Sequence, residues 1–227
     1  MAFFILSLAL AQADQTRFES ARPPLTKRKF TSEAVEREIM RVNQKVADPE
    51  LCRIFDACYP NTLDTCVTFT ITNGRPDTFI VTGDIHAMWL RDATAEVQAY
   101  VPLCKEDTHL AEMIAGVIHR QAACILIDPY ANAFQGDASK PSPHHKDDTD
   151  MRPGVFERKW ELDSLCYCIR LSYEYWKDTG DTATFDQDWL RAMHLAVATM
   201  RDQQREKNHG LYHFTRGRVK PGDLGYG

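Results

Sequence analysis

Residues 107–127 read DTHLAEMIAGVIHRQAACILI, and their periodicity decides the fold class. Leu110, Ile114, Val117, Ile118 and Ile125 recur at three- and four-residue steps, which collects them on one side of a long helix. Working outward, helical pattern also covers Met88 to Tyr100, Trp160 to Lys177 and Thr184 to Glu206, the last two separated by Thr179-Gly180-Asp181. Upstream, Ser32 is placed to cap a helix carrying Val35, Ile39, Val42 and Val46. Asp48-Pro49 starts another, with Leu51, Ile54, Phe55 and Cys58 as its expected buried stripe. Two β-branched runs, Thr65 to Ile71 and Thr78 to Thr82, flank Asn73-Gly74-Arg75-Pro76-Asp77 and predict a hairpin. Asp128 to Arg158 reads as one long irregular segment, a length often functional inside a compact domain. Leu211 to Thr215 is a short strand candidate. The elements are helices in succession with no alternation of strand and helix, so the expected class is all-α, with loops gathered at one end.

Composition narrows the partners. The 227 residues carry 27 basic and 32 acidic side chains, a net charge of −5, with 44% hydrophobic and 26% charged residues. No basic concentration suggests a nucleic-acid surface. No window of about 18 apolar residues is read in the sequence, so no membrane span is expected. Ala2 to Leu10 is an apolar run followed by Ala11-Gln12-Ala13, the small-x-small form of a signal-peptidase site, although no Lys or Arg precedes Arg17. Residues 1–19 are read as a short secretory signal and polar arm, which places the protein in the secretory pathway; a plain apolar terminus is the alternative. Residues 20–227 are read as part of a single domain. Seven cysteines lack zinc-type CxxC pairs. Cys58, Cys66 and Cys104 lie near element ends and could pair under oxidising conditions, whereas Cys52 and Cys124 fall on apolar helix faces.

Two stretches concentrate polar groups beside aromatics. Gly83-Asp84-Ile85-His86-Ala87-Met88-Trp89-Leu90-Arg91-Asp92 sits at a strand-to-helix junction. Carboxylates and a guanidinium can pair with the vicinal hydroxyls of a sugar, while an aromatic face takes its C–H side. The plain alternative is a helix-start ion pair between Arg91 and Asp92 beside a core tryptophan. The second stretch is Phe156-Glu157-Arg158-Lys159-Trp160-Glu161-Leu162-Asp163-Ser164. On a regular helix Trp160 would share a face with Ser164, and Lys159 with Asp163. Its plain alternative is a solvated helix start rich in acids. His144-His145 and Asp148-Thr149-Asp150 invite a metal reading, but two adjacent histidines diverge and HExxH spacing is absent. A solvated acidic loop, or a flap over a sugar site, is expected there instead.

The two stretches, in this order and separation, resemble the signatures of glycoside hydrolase family 125, as does Thr179-Gly180-Asp181 after them. Arg22-Pro23-Pro24 and the following helix resemble the amino-terminal region of its fungal, meiotically up-regulated members. The resemblance implies an (α/α)6 toroid that releases terminal α-1,6-linked mannose with inversion, without metal or cofactor, from a mannose-containing glycan. It implies substrate contacts from Asp84, His86, Trp89, Arg91, Asp92, Lys159, Glu161 and Asp163. Six helical hairpins need more chain than 227 residues, and the general acid and base of the family are expected beyond Gly227. No catalytic residue is therefore assigned, and the chain is read as an incomplete amino-terminal half, ending in a loop and prone to aggregate. Two alternatives stand beside hydrolysis: a non-catalytic mannoside-binding protein, and a glycosyltransferase using Asp148–Asp150.

Overall fold

The computed structural model describes residues 22–206 and 210–217. The apolar run Ala2–Leu10, the Ala11-Gln12-Ala13 site and the closing Gly222–Gly227 lie outside the described residues. Helix α1 spans Glu33–Lys45, and the Ser32 hydroxyl accepts from Val35 N, as its sequence position predicts. Val35 and Ile39 are buried beneath it. Helix α2, Pro49–Cys58, is capped by the Asp48 carboxylate, which accepts from Glu50 N at 2.8 Å.

The expected buried stripe of α2 is corrected. Leu51 and Ile54 are 56% and 53% exposed, Cys58 is exposed, and only Phe55 packs against the core. Local periodicity identifies an apolar face, but no described element lies over this one.

The hairpin forms from β1, Val67–Thr72, and β2, Arg75–Ile80, paired from Val67↔Ile80 to Thr72↔Arg75. Asn73 and Gly74 have φ of 53° and 75°, the two left-handed positions of a type I′ turn. The turn is tighter than the five residues expected, because Arg75–Asp77 join the ladder. Strand β3, Ala87–Trp89, leads into helix α3, Leu90–Gln98, so the helix expected from Met88 begins later. A 3₁₀ segment, Val101–Glu106, then leads to α4, Thr108–Ile127.

Helix α4 is the central beam. Its expected apolar side is buried in full, and it packs on β2 and on α6, Gln187–Gln203. At Gly116 a Cβ would sit 2.9 Å from Thr78 N, so glycine lets the strand approach the helix closely. Thr78 Oγ1 donates to the Met113 carbonyl at 2.7 Å. Contrary to the sequence expectation, α4 is long and apolar enough to cross a membrane; two-thirds of that stretch is buried in the fold, as in a core helix.

The long segment 128–158 is not wholly irregular. It holds β4, Ala133–Gln135, and β5, Val155–Glu157, which with β3 make a sheet of order β3-β4-β5, each pair antiparallel. From Leu211 to Thr215 only a single bridge forms, Asp148↔Thr215. Helix α5, Leu162–Thr179, starts later than predicted and ends at Gly180, whose φ of 72° is left-handed. The next helix, expected from Thr184, begins at Gln187, where Asp186 caps Trp189 N at 2.8 Å.

The described residues are thus helix-rich as expected, with the expected hairpin and one further small sheet, β3-β4-β5, beside it. One core cluster joins α1, the hairpin and the first half of α4 through Val35, Ile80, Tyr100 and Ile114. The other joins the far half of α4 to α5, α6 and the small sheet through Ile125, Phe134, Leu165 and Ala192. All seven cysteines are free thiols in this structure, and the pairing open to Cys58, Cys66 and Cys104 under oxidising conditions is not formed in it. Cys104 is instead buried with its Sγ toward the Tyr100 carbonyl, and burial pushes its thiol up to about 12.

Candidate functional site

The three-stranded sheet brings the two polar stretches together. Strands β3 and β5 both pair antiparallel with β4, so they run in the same direction and deliver α3 and α5 from one end. The helices then lie side by side in parallel: Arg91 reaches Asp163, Thr94 Oγ1 donates to the Tyr167 carbonyl, and Gln98 reaches Glu174. Asn132, just before β4, stitches the junction. Its carbonyl accepts from Leu90 N at 3.1 Å, its Oδ1 from Lys159 N at 3.2 Å, and its Nδ2 donates to Glu157 at 2.6 Å.

Arg91 occupies the middle of the group. Its Nη1 donates to Asp163 Oδ2 at 3.0 Å and Glu161 Oε2 at 3.2 Å, and its Nη2 lies 3.2 Å from Asp92 Oδ2. Partial burial disfavours the guanidinium charge, but the Asp163 hydrogen bond and the charges of Asp92, Asp163 and Glu161 outweigh it and hold Arg91 above its ordinary value. Asp92 Oδ2 is shielded from water and makes no aligned hydrogen bond among the described residues, and neither does the buried Ser164 Oγ. Trp89, half-buried at the end of β3, meets the Phe156 ring edge-on, with centroids 5.4 Å apart.

The remaining predicted residues are not drawn into this group. Asp84 and His86 stand exposed on the loop between Thr82 and Ala87, which turns at left-handed Gly83. Lys159 is fixed through its backbone. The helical faces expected for Trp160 with Ser164 and Lys159 with Asp163 do not form, because α5 begins only at Leu162. Trp160 N is held by the Tyr212 hydroxyl at 2.6 Å and Lys159 N by Asn132, so neither joins the helix.

Several participants escaped the sequence reading. Glu96, one turn beyond Asp92 on α3, is pushed up to about 7 by burial, with the Asp92 charge adding and the Thr62 hydroxyl opposing. Its i, i+4 spacing from Asp92 was the available signal. Burial would raise Glu157, but hydrogen bonds from Arg216 and Asn132 hold it below the carboxylate range. Arg158, also buried, donates to Asp128 at 2.7 Å and lies over the rings of Tyr130 and Tyr212. Asp148 and Asp150 do not converge on the Arg91 group: Asp148 pairs its backbone with Thr215, and Asp150 lines a separate cleft of about 670 Å3 with Arg152, Asp202 and Tyr212. No three His, Cys, Asp or Glu side chains among the described residues are grouped to hold a metal ion.

Residues 48–224 match the family model described as metal-independent alpha-mannosidase, GH125. The chain belongs to this family. Over 200 residues it is 36% identical to the meiotically up-regulated gene 157 protein of Schizosaccharomyces pombe, a match covering 82% of this chain and 38% of that one. A solved structure of a metal-independent α-mannosidase from Streptococcus pneumoniae, in a non-productive complex with α-1,6-mannobiose, superposes with a TM-score of 0.76 at 39% identity. That match covers 83% of this chain and 43% of the bacterial one, so the chain spans less than half the length of either relative. Both polar stretches of this GH125 chain fall inside the matched residues.

Proposed function

We propose that residues 84–92 and 157–163 form the terminal-mannose subsite of a metal-independent glycoside hydrolase that removes α-1,6-linked mannose with inversion. The Arg91 group carries this reading. A guanidinium fixed between Glu161 and Asp163, with the partly exposed Asp92 carboxylate beside it, offers a donor and several acceptors to neighbouring hydroxyls. Trp89 supplies an apolar wall for the C–H face of the ring. The contacts assigned by resemblance to Asp84, His86 and Lys159 belong to the same proposal, at the rim. The (α/α)6 toroid, a catalytic domain including residues 20–227, and entry to the secretory pathway complete it.

Inverting hydrolysis needs a carboxylic acid and a carboxylate base about 6.5–9.5 Å apart, flanking the bond. Glu161 and Asp163 are both engaged by Arg91, so their role here is to bind and orient hydroxyls. That engagement also favours a second reading, mannoside binding without hydrolysis.

Incubation with α-1,6-mannobiose in excess chelator, followed by proton NMR, separates the two. Early appearance of β-mannose supports inverting, metal-independent hydrolysis. Binding seen by calorimetry with no release supports the binding protein. A folded chain that neither binds nor cleaves the disaccharide would refute both.

A further inference from the structure

The Asn73-Gly74 pair that turns the β1–β2 hairpin carries chemistry of its own. Of the five asparagines in the chain, Asn73 alone precedes a glycine. Both residues are exposed, and no hydrogen bond holds the Asn73 carboxamide or Gly74 N among the described residues. A Cβ at Gly74 would meet nothing within 4 Å, and the turn borders an open cleft of about 410 Å3. A bond between Gly74 N and Asn73 Cγ would close a five-membered ring, and nothing in the surroundings obstructs it.

The I′ turn already supplies half of the geometry for that closure. Asn73 φ is 53°, and the type II′ turn, the other form that fits a two-residue hairpin, keeps this angle at about 60°. The two forms differ by a flip of the peptide between the central residues, which takes the first ψ to about −120°. The five-membered ring requires the same ψ, because Asn73 Cβ must then eclipse the peptide nitrogen. The flip reverses the sign of φ at Gly74 from its present 75°, and glycine tolerates both signs. The strands need not move, since the ladder closes at Thr72↔Arg75, outside the flipped peptide.

We propose that Asn73 is a site of spontaneous covalent modification in the folded protein. Gly74 N gives up its proton and bonds to Asn73 Cγ; the bond from Cγ to the carboxamide nitrogen breaks, and ammonia leaves with that proton. Water then opens the resulting succinimide. Opening at Cγ gives aspartate. Opening at the Asn73 main-chain carbonyl gives isoaspartate, whose backbone runs through the side chain and gains one carbon. The contacts just beyond the turn are fitted to the shorter chain. Arg75 Nε donates to Asp186 Oδ2 at 2.9 Å, and the Pro76 carbonyl stands 2.9 Å from His119 Nδ1, which ties the hairpin to the cap of α6 and to α4. Isoaspartate at position 73 therefore loosens the hairpin tip from both helices. None of this depends on the mannoside reading.

The test holds the folded chain and the urea-unfolded chain in mildly alkaline buffer, beside a folded sample at mildly acidic pH. Peptide mapping of the folded alkaline sample is expected to find the peptide carrying Asn73 heavier by about 1 Da. Isoaspartate-specific fragments should locate the change at position 73, with Asn43, Asn61 and Asn132 intact. The acidic sample should lag, because attack needs the deprotonated nitrogen. Asn73→Gly, which keeps a Gly-Gly turn of the same type, should lose the modification. In hydrogen exchange the isoaspartyl form should lose amide protection along β2 by about tenfold. If Asn73 stays intact in the folded sample while it converts in urea, the proposal is overturned; so it is if aspartate is the sole product. Isoaspartate with unchanged protection of β2 overturns the loosening of the hairpin tip.

Discussion

Arg91 Nη1 donates to Asp163 Oδ2 at 3.0 Å and to Glu161 Oε2 at 3.2 Å, so one side chain at the start of α3 ties two carboxylates at the start of α5. The group remains partly open to water, which limits what it adds to stability to roughly 1 kcal/mol or less. Its value to a ligand is geometric, since a planar guanidinium addresses several oxygens at once and an ammonium does not. Arg91→Lys is therefore expected to lower mannoside affinity about tenfold or more while the denaturation midpoint barely moves. Calorimetry beside urea unfolding checks this. Wild-type affinity in the variant would remove Arg91 from the site.

Glu96 gives the fold a specific pH dependence. Burial, followed by the Asp92 charge, raises its carboxyl from an ordinary 4.5 to about 7 against the pull of the Thr62 hydroxyl. The folded protein then holds this proton more tightly than the unfolded chain does. Stability from this group is complete below about 4.5 and is lost as pH rises towards about 7. Because the side chain keeps some contact with water, the loss is on the order of 1 kcal/mol rather than the full shift. Glu96→Gln should flatten that part of the stability profile and leave the variant the more stable protein at pH 8. A variant with the wild-type slope between those limits would place the proton elsewhere.

Which features were legible follows from the range over which each is encoded. Helix α4 was readable because its apolar period persists for twenty residues, and the Ser32 and Asp48 caps because a cap lies within three residues of its target. Strands β3, β4 and β5 are three residues each, too short to display a period. Their pairing joins Trp89 to Ala133, and Ala133 to Glu157, across long stretches of chain. The candidate site divides the same way. Arg91, Asp92, Glu161 and Asp163 announced themselves by local crowding of charge, but Asn132 and Arg216 matter only through partners far away in sequence. The α2 stripe failed for a related reason: periodicity says which face is apolar, not whether another element covers it.

The crossing of α4 and β2 is a tight joint in that scaffold. A methyl group at position 116 would stand 2.9 Å from Thr78 N and 3.0 Å from the Asp77 carbonyl carbon, both backbone atoms. Backbone cannot swing aside as a side-chain tip can, so the hairpin must be displaced. Gly116→Ala gains helix propensity of about 1 kcal/mol in isolation, but overpacking typically costs about 1–3 kcal/mol. Net destabilisation of roughly 1–2 kcal/mol is expected in chemical denaturation. A variant more stable than wild type would show the joint to be looser than these distances.

Helix α5 presents a second apolar face opposite its buried one. Leu165, Cys168, Leu171 and Tyr175 turn inward, whereas Leu162, Ile169, Tyr173 and Trp176 are 55%, 37%, 55% and 44% exposed. Cys166, also exposed, fills the gap between Leu162 and Ile169, so the outer residues follow four- and three-residue steps along one stripe. A contiguous apolar stripe of this kind on a water-facing helix promotes association. Arg170 and Glu174 pair with each other beside the stripe, and the Lys177 ammonium lies over the Tyr173 ring within it. Sedimentation velocity should find this chain self-associating as its concentration rises. The double variant Ile169→Glu, Tyr173→Lys should shift the distribution toward monomer, with the circular-dichroism spectrum retained. Unchanged association in that variant would move the sticky surface elsewhere, with the exposed Leu51 and Ile54 on α2 as the next face to test.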